Sequence, residues 1–358
     1  MRQTFAPSTG LKMALDREAH AFVGSRSTVD SPMMYTKAAA LIGTAVWAYV
    51  VLVFQAHTPA AVIGSAVVLA LALVGIGFNV QHDGNHGTFS RHPLVNRLAG
   101  FTLDLMGASS YFWKDKHNHN HHVYTNIPHE DADIDLGPMA RLSADHPWRW
   151  WHRYQHVYLW LLYTGVHLRY LYSDLQRLFL GKNDGLTAGY PKGADMRWLL
   201  AGKAFFFTVA FAIPMSRHGV GTVIGIYVLV SMTMGFIFSV VFQLAHTVDI
   251  VEHPSHEDPY PEWVEHQIAT TANFATHSRM AGLLLGGLNY QREHHLFPRI
   301  AHVHYPALSR VVKRVCAEYG VPCRENITLL DAMRSHYNFV RQMGMKPGDA
   351  MPPASPSH

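Results

Sequence analysis

Four long apolar stretches restrict this chain more than any other feature of it. Residues 38–56 (AAALIGTAVWAYVVLVFQA) and 60–80 carry no charged side chain and are separated only by His57, Thr58 and Pro59. Residues 199–215 and 219–245 repeat the arrangement around Ser216, Arg217 and His218, with Lys203 as their one charge. A helix of about 20 residues crosses the ~30 Å hydrocarbon core of a bilayer, where every backbone polar group must be satisfied within the segment. Breaks as short as these turn each pair into an antiparallel hairpin. The expected fold is all-α and membrane-integral, with four transmembrane helices in two hairpins and a helical cap made from the polar remainder.

Two hairpins return the N-terminal segment 1–35, the stretch 81–198 and everything beyond 245 to one side of the membrane. Arg217 is the one Lys or Arg in the two outer turns, whereas Arg91, Arg97, Lys192 and Arg197 flank the spans on the other side. That asymmetry makes the larger, polar side cytoplasmic. Lys203, near the start of its span, is expected to snorkel toward the interface. Residues 154–172 are apolar and aromatic but include His156, His167 and Arg169, the pattern of a helix lying on the membrane. Residues 1–35 lack the short apolar core of a cleaved signal peptide. The expected organisation is a cytoplasmic segment 1–35, a single membrane domain over 36–345 and a frayed tail 346–358, in a bacterial inner membrane. Net charge is only +4 (29 basic, 25 acidic) and no basic stripe is interleaved with aromatics, which favours a membrane surface over nucleic acid as partner.

The polar remainder holds most of 26 histidines. His82 and His86 (QHDGNH) are four residues apart where the second span ends, and His117 and His121 (HNHNHH) repeat that spacing. On a helix, residues four apart face one way, and His122 is rotated by about 100° from His121. His294 and His295 (QREHH) follow Gln291 by one turn, and His246 stands where the fourth span leaves the membrane. Eight imidazoles on one predicted face exceed the three or four ligands of a single zinc site and suit two metal ions. Imidazole accommodates iron, copper, nickel or zinc, so the ligand chemistry alone does not name the metal.

Other metal chemistries are excluded by inspection. No Glu is followed three residues later by His, and no HExxH is present, which removes the carboxylate-bridged bundle and the zinc-protease helix. The run HEDADIDLG places Asp131, Asp133 and Asp135 like a calcium loop, but Gly137 comes one place late and Leu142 stands where Glu is required. Those aspartates read as supporting or capping residues. Two cysteines, Cys316 and Cys323, rule out a disulfide scaffold and a thiolate-ligated cluster, and read as buried thiols.

HDGNH, HNHNHH and QREHH, in this order around a hairpin, resemble the three histidine boxes of the membrane fatty acid desaturase family. The stretch GGLNYQREHHLFPRIAHVHYP is similar to the branch whose third box begins with Gln, although Arg292 stands where that branch usually has an aliphatic residue, and no HPGG haem motif occurs in the chain. The resemblance implies an O2-dependent enzyme that introduces a cis double bond into an acyl chain, carried by CoA or by a lipid. It implies two non-haem iron ions in the cap, with His82, His86, His117, His121, His122, His294 and His295 as ligands and His246 as the additional histidine after the last span. Gln291 then is a weak or water-mediated ligand, with Asp83, Glu293 and Asn118 as supporting residues; His119 matches no ligand position. Electrons would come from a ferredoxin or a cytochrome-b5-like protein, for which Arg91, Lys114 and Lys116 are the candidate docking cations. A lipid hydroxylase or ketolase of the same superfamily is the alternative. A His-rich metal transporter is a remote one, because the spans hold almost no ionisable residue to line a path.

Overall fold

The computed structural model describes residues 4–8, 10–24, 28–181 and 189–348, so the tail from 349 onward lies outside the described residues. Among the described residues, four helices are long and apolar enough to cross a membrane: Pro32–Gln55, Pro59–His86, Gly193–Met215 and Val220–His246. All four overrun the apolar runs at one end or both, because their start and stop signals are not apolar. Pro32 and Pro59 occupy first-turn positions, and the Thr58 hydroxyl accepts the Ala61 N–H at 3.2 Å.

The chain forms two compact units. One comprises residues 29–118 and 161–240, the other 1–28, 119–160 and 241–358. The first unit holds most of the four spans. Trp47, Phe54, Leu71, Phe205, Ile224 and Phe236 are exposed on it, a belt that water would not tolerate and lipid covers. Lys203 departs from expectation. Its ammonium is buried, donating to Asp174 Oδ2 at 2.9 Å and to the Gly107 carbonyl at 2.5 Å. A fixed carboxylate within reach satisfies it better than a stretched path to the interface. The stretch 154–172 is not one helix: a 3₁₀ turn Trp150–Tyr154 leads into Gln155–Thr164, and Val166–Leu180 follows after a break at Gly165.

The second unit is the helical cap. Its core is built from Leu11 and Leu15 of helix Leu11–Val23, Ile268 of Trp263–Thr270, and Leu308, Val312 and Val315 of Tyr305–Glu318. The N-terminal segment is therefore part of a core. Helix Leu329–Gly344 starts at a reciprocal cap, Thr328 Oγ1 accepting the Asp331 N–H and Asp331 Oδ2 accepting the Thr328 N–H, both at 3.1 Å. Extended structure among the described residues is limited to two short parallel pairings, Phe5 with Tyr260 and Asn273–Phe274 with Glu325–Asn326, and one antiparallel bridge between Asp135 and Arg141.

Candidate metal centre

The first histidine box closes the second span. Just before it the helix widens into a π-helical turn, Gly77–Gln81, and then resumes as His82–His86. This short helix packs against Pro93–Leu105 with no room for side chains. A Cβ on Gly84 would stand 2.4 Å from the Gly100 nitrogen and 2.7 Å from Ala99 Cβ. The Asn85 amide ties the box down, donating to Gln81 Oε1 at 2.7 Å. The second box is likewise π-helical, Asp115–His121, rather than α-helical. Single π turns concentrate at functional sites. The spacing of four cannot reveal one, because the letters are the same in either helix.

In the unit that carries the spans, His82, His86 and His117 come together. Their ring centres are 4.7 to 5.5 Å apart, and their ligand nitrogens lie within 4.8 Å of one another. Trp113 stacks on His117 at 4.1 Å and fixes the plane of that ring. Asp83 Oδ1 is 3.8 Å from His82 Nδ1, and Asn118 Nδ2 donates to the Asn85 carbonyl at 3.2 Å.

In the cap, His121, His246 and His295 converge with ligand nitrogens within 4.8 Å. His122 stacks on His295 at 4.3 Å and meets His294 edge-on at 4.5 Å. All five rings are buried. The outer nitrogens of three of them, His121, His294 and His295, are held. Asp131 Oδ2 lies 3.0 Å from His121 Nδ1 while accepting the Asn126 N–H at 2.9 Å, Gln267 Oε1 lies 2.8 Å from His295 Nδ1, and the Tyr305 hydroxyl lies 3.2 Å from His294 Nδ1. Such contacts fix tautomer and ring direction and leave Nε2 for a metal. Gln291 Nε2 is 2.9 Å from His246 Nε2 and 3.3 Å from His295 Nε2, so its carboxamide stands among the ligand atoms. Rotating that amide by 180° would present the oxygen instead.

Several expectations land elsewhere. Glu293 accepts from Asn273 Nδ2 at 2.7 Å and faces Arg292 at 3.5 Å, so it supports the backbone of the third box and not a ring. His119 is exposed, Cys316 is buried and Cys323 half-buried, none in either cluster. Of the three expected docking cations, Arg91 is exposed and pairs with Asp30, Lys116 stands over the Tyr170 ring, and Lys114 is half-buried. Gln267, Thr125 and Tyr305 are absent from the sequence-based set. Only the proximity of HVHYP to the third box hints at Tyr305.

Eight nitrogen donors, all but His86 buried, fit two late first-row transition metals and poorly fit calcium or magnesium; the Asp133 carboxylate lies 3.5 Å from His121 Nδ1. The family model described as fatty acid desaturase matches residues 56–326. The chain is 36% identical to an sn-1 linoleoyl-lipid 6-desaturase of Arthrospira platensis, covering 96% of this chain and 95% of that protein. It is 33% identical to a protein of the same description from Synechocystis sp., over 96% and 98% respectively. An acyl-lipid (8-3)-desaturase of Physcomitrium patens is 34% identical over 75% of this chain, and the match spans 58% of that longer protein.

Proposed function

This chain belongs to the fatty acid desaturase family, and from that premise we propose that it inserts a cis double bond into an acyl chain esterified in a membrane lipid. The reading rests on one observation above all: two sets of imidazoles, all but His86 buried, each with ligand nitrogens within 4.8 Å and built from the box histidines together with His246. The balance is one saturated –CH2–CH2– unit, O2, two electrons and two protons giving –CH=CH– and two waters. His82, His86, His117, His121, His122, His246, His294 and His295 would hold two iron ions, with Gln291 as an additional or water-mediated donor. Bound iron supplies the oxidising power that no acid–base side chain has for an alkyl C–H bond.

The protein's own part is positional. Asp131, Gln267 and Tyr305 hold ring orientation, Trp113 holds the plane of His117, and burial of the rings excludes water that would consume the oxidant. Electrons come from a ferredoxin or a cytochrome-b5-like donor. Arg91, Arg97, Lys192 and Arg197 against the lone Arg217 support an orientation with the boxes in the cytoplasm, at a bacterial inner membrane.

The test is fatty acid analysis of a bacterial host expressing the chain beside the His294→Ala variant, with iron measured in both purified proteins. A new double bond with wild type only, and about two irons per chain, is the expected result. A hydroxylated acid, or activity retained by His294→Ala, overturns the assignment.

A further inference from the structure

One cavity in the unit carrying the spans is cationic where the apolar helices end. It has a volume of about 600 Å³, and its lining includes His86, Arg91, Arg97, Lys114, Trp198 and Asp195. His86 is the last residue of the second span, and Asp195 and Trp198 lie in the first turns of the third. The cavity therefore sits at the depth where a lipid's polar end meets its acyl chains, with a Trp of the kind that marks that depth.

Its charges are unequally matched. Arg97 bonds Asp195 Oδ1 at 3.0 Å and stands 4.9 Å over the Trp198 ring; Arg91 pairs with Asp30. Asp104, the other carboxylate of the lining, accepts the Ser110 N–H at 3.1 Å. Lys114 closes helix Ser110–Lys114, half-buried, with Asp195 and Asp104 near enough to attract it by charge and neither of them paired with it among the described ion pairs. Burial, then the nearby Arg97, pulls its ammonium below the ordinary lysine range. An ammonium so placed gains most from an anionic oxygen brought in by a ligand.

Resting on the desaturase reading, we propose that this cavity holds the phosphate of the acyl carrier, with Lys114 as its charge partner and Arg97 and Trp198 as its wall. The chemistry recognised is a phosphate ester. Its depth favours a phospholipid headgroup, and a phosphate-bearing thioester such as acyl-CoA presents the same group from solution. The carrier's phosphate, gripped beside His86, would fix how far along the acyl chain the boxes act.

The full-length protein is titrated, by native mass spectrometry from detergent, with phosphatidylglycerol, a monogalactosyl lipid and acyl-CoA bearing one common acyl chain. Wild type should bind the phosphate carriers in preference to the galactolipid. Lys114→Gln should cut that preference about tenfold and Lys114→Arg should keep it. The phosphatidylglycerol and acyl-CoA arms tell which source supplies the phosphate. Equal binding of galactolipid and phosphatidylglycerol by wild type, or a preference untouched in Lys114→Gln, overturns the proposal. Binding is read without turnover, so a Lys114-dependent phosphate preference in a protein that desaturates nothing would sink the activity and leave the cavity's role standing.

Discussion

If the boxes hold two irons as proposed, replacing Gly84 by alanine should cost the protein one of them. The added Cβ would meet the Gly100 nitrogen at 2.4 Å, Ala99 Cβ at 2.7 Å and the Ala99 carbonyl carbon at 2.8 Å, where ordinary contact begins at 3.4 Å. Relief requires a displacement of 1.0 Å (3.4 minus 2.4) between two backbones, with no flexible side chain to absorb it. Metal–ligand distances hold to about ±0.2 Å, so a shift of this size in the short helix carrying His82 and His86 removes both from a shared ion with His117. Overpacking of this kind costs about 1–3 kcal/mol. Iron per chain, measured by inductively coupled plasma mass spectrometry, should fall toward one, and the melting temperature in detergent should drop. Gly64→Ala is the control, because a Cβ there meets nothing within 4 Å. Gly84→Ala protein with two irons and a wild-type melting temperature would refute the reasoning.

Asp131→Asn keeps shape but weakens the hold on His121 Nδ1; iron affinity should fall about 10- to 100-fold in a chelator competition, and an unchanged affinity would separate Asp131 from the ring. Lys203→Met strands Asp174, whose carboxyl burial already pushes above its ordinary value with Lys203 opposing, so thermal stability should fall by about 3–5 kcal/mol and recover in part in Lys203→Met/Asp174→Asn. No recovery in the double variant would mean the two residues act separately. Burial holds His253, His266 and His336 at about 4, below the ordinary 6.5. The unfolded chain then binds more protons between those values, so stability is complete above about pH 6.5 and is lost as pH falls toward 4, by about 3 kcal/mol per ring at the limit. A melting temperature that stays flat from pH 7 to pH 5 would contradict this.

The spans and the box histidines were legible because each is written locally. Absence of charge over about 20 residues is a property of a window, and so is an imidazole pair four apart. What holds the imidazoles is not local. Thr125 and Gln267 reach His295 from 170 and 28 residues away, and Asn126 reaches the His246 carbonyl across 120. The partner of Lys203 is hidden for the same reason: Asp174 lies 29 residues earlier, in helix Val166–Leu180, beyond the apolar stretch 154–172. The carboxylate of Glu293, next to His294 in sequence, accepts from Asn273 Nδ2, 20 residues away.

The widened turn at Gly77–Gln81 acts as a phase adjuster. A π turn holds one residue more than the α turn it replaces, and each residue is worth about 100° of rotation. The lipid-buried length of the span and the heading of His82 and His86 are thereby set by separate stretches of one helix. Deleting one residue from 77–81 should close the turn to an α turn and leave the heading of both rings nearly unchanged, whereas deleting one from the α-helical stretch Pro59–Ile76 should swing them by about a quarter turn. Substitutions that refit the span to a thicker or thinner bilayer can accumulate below this turn without redirecting the first box.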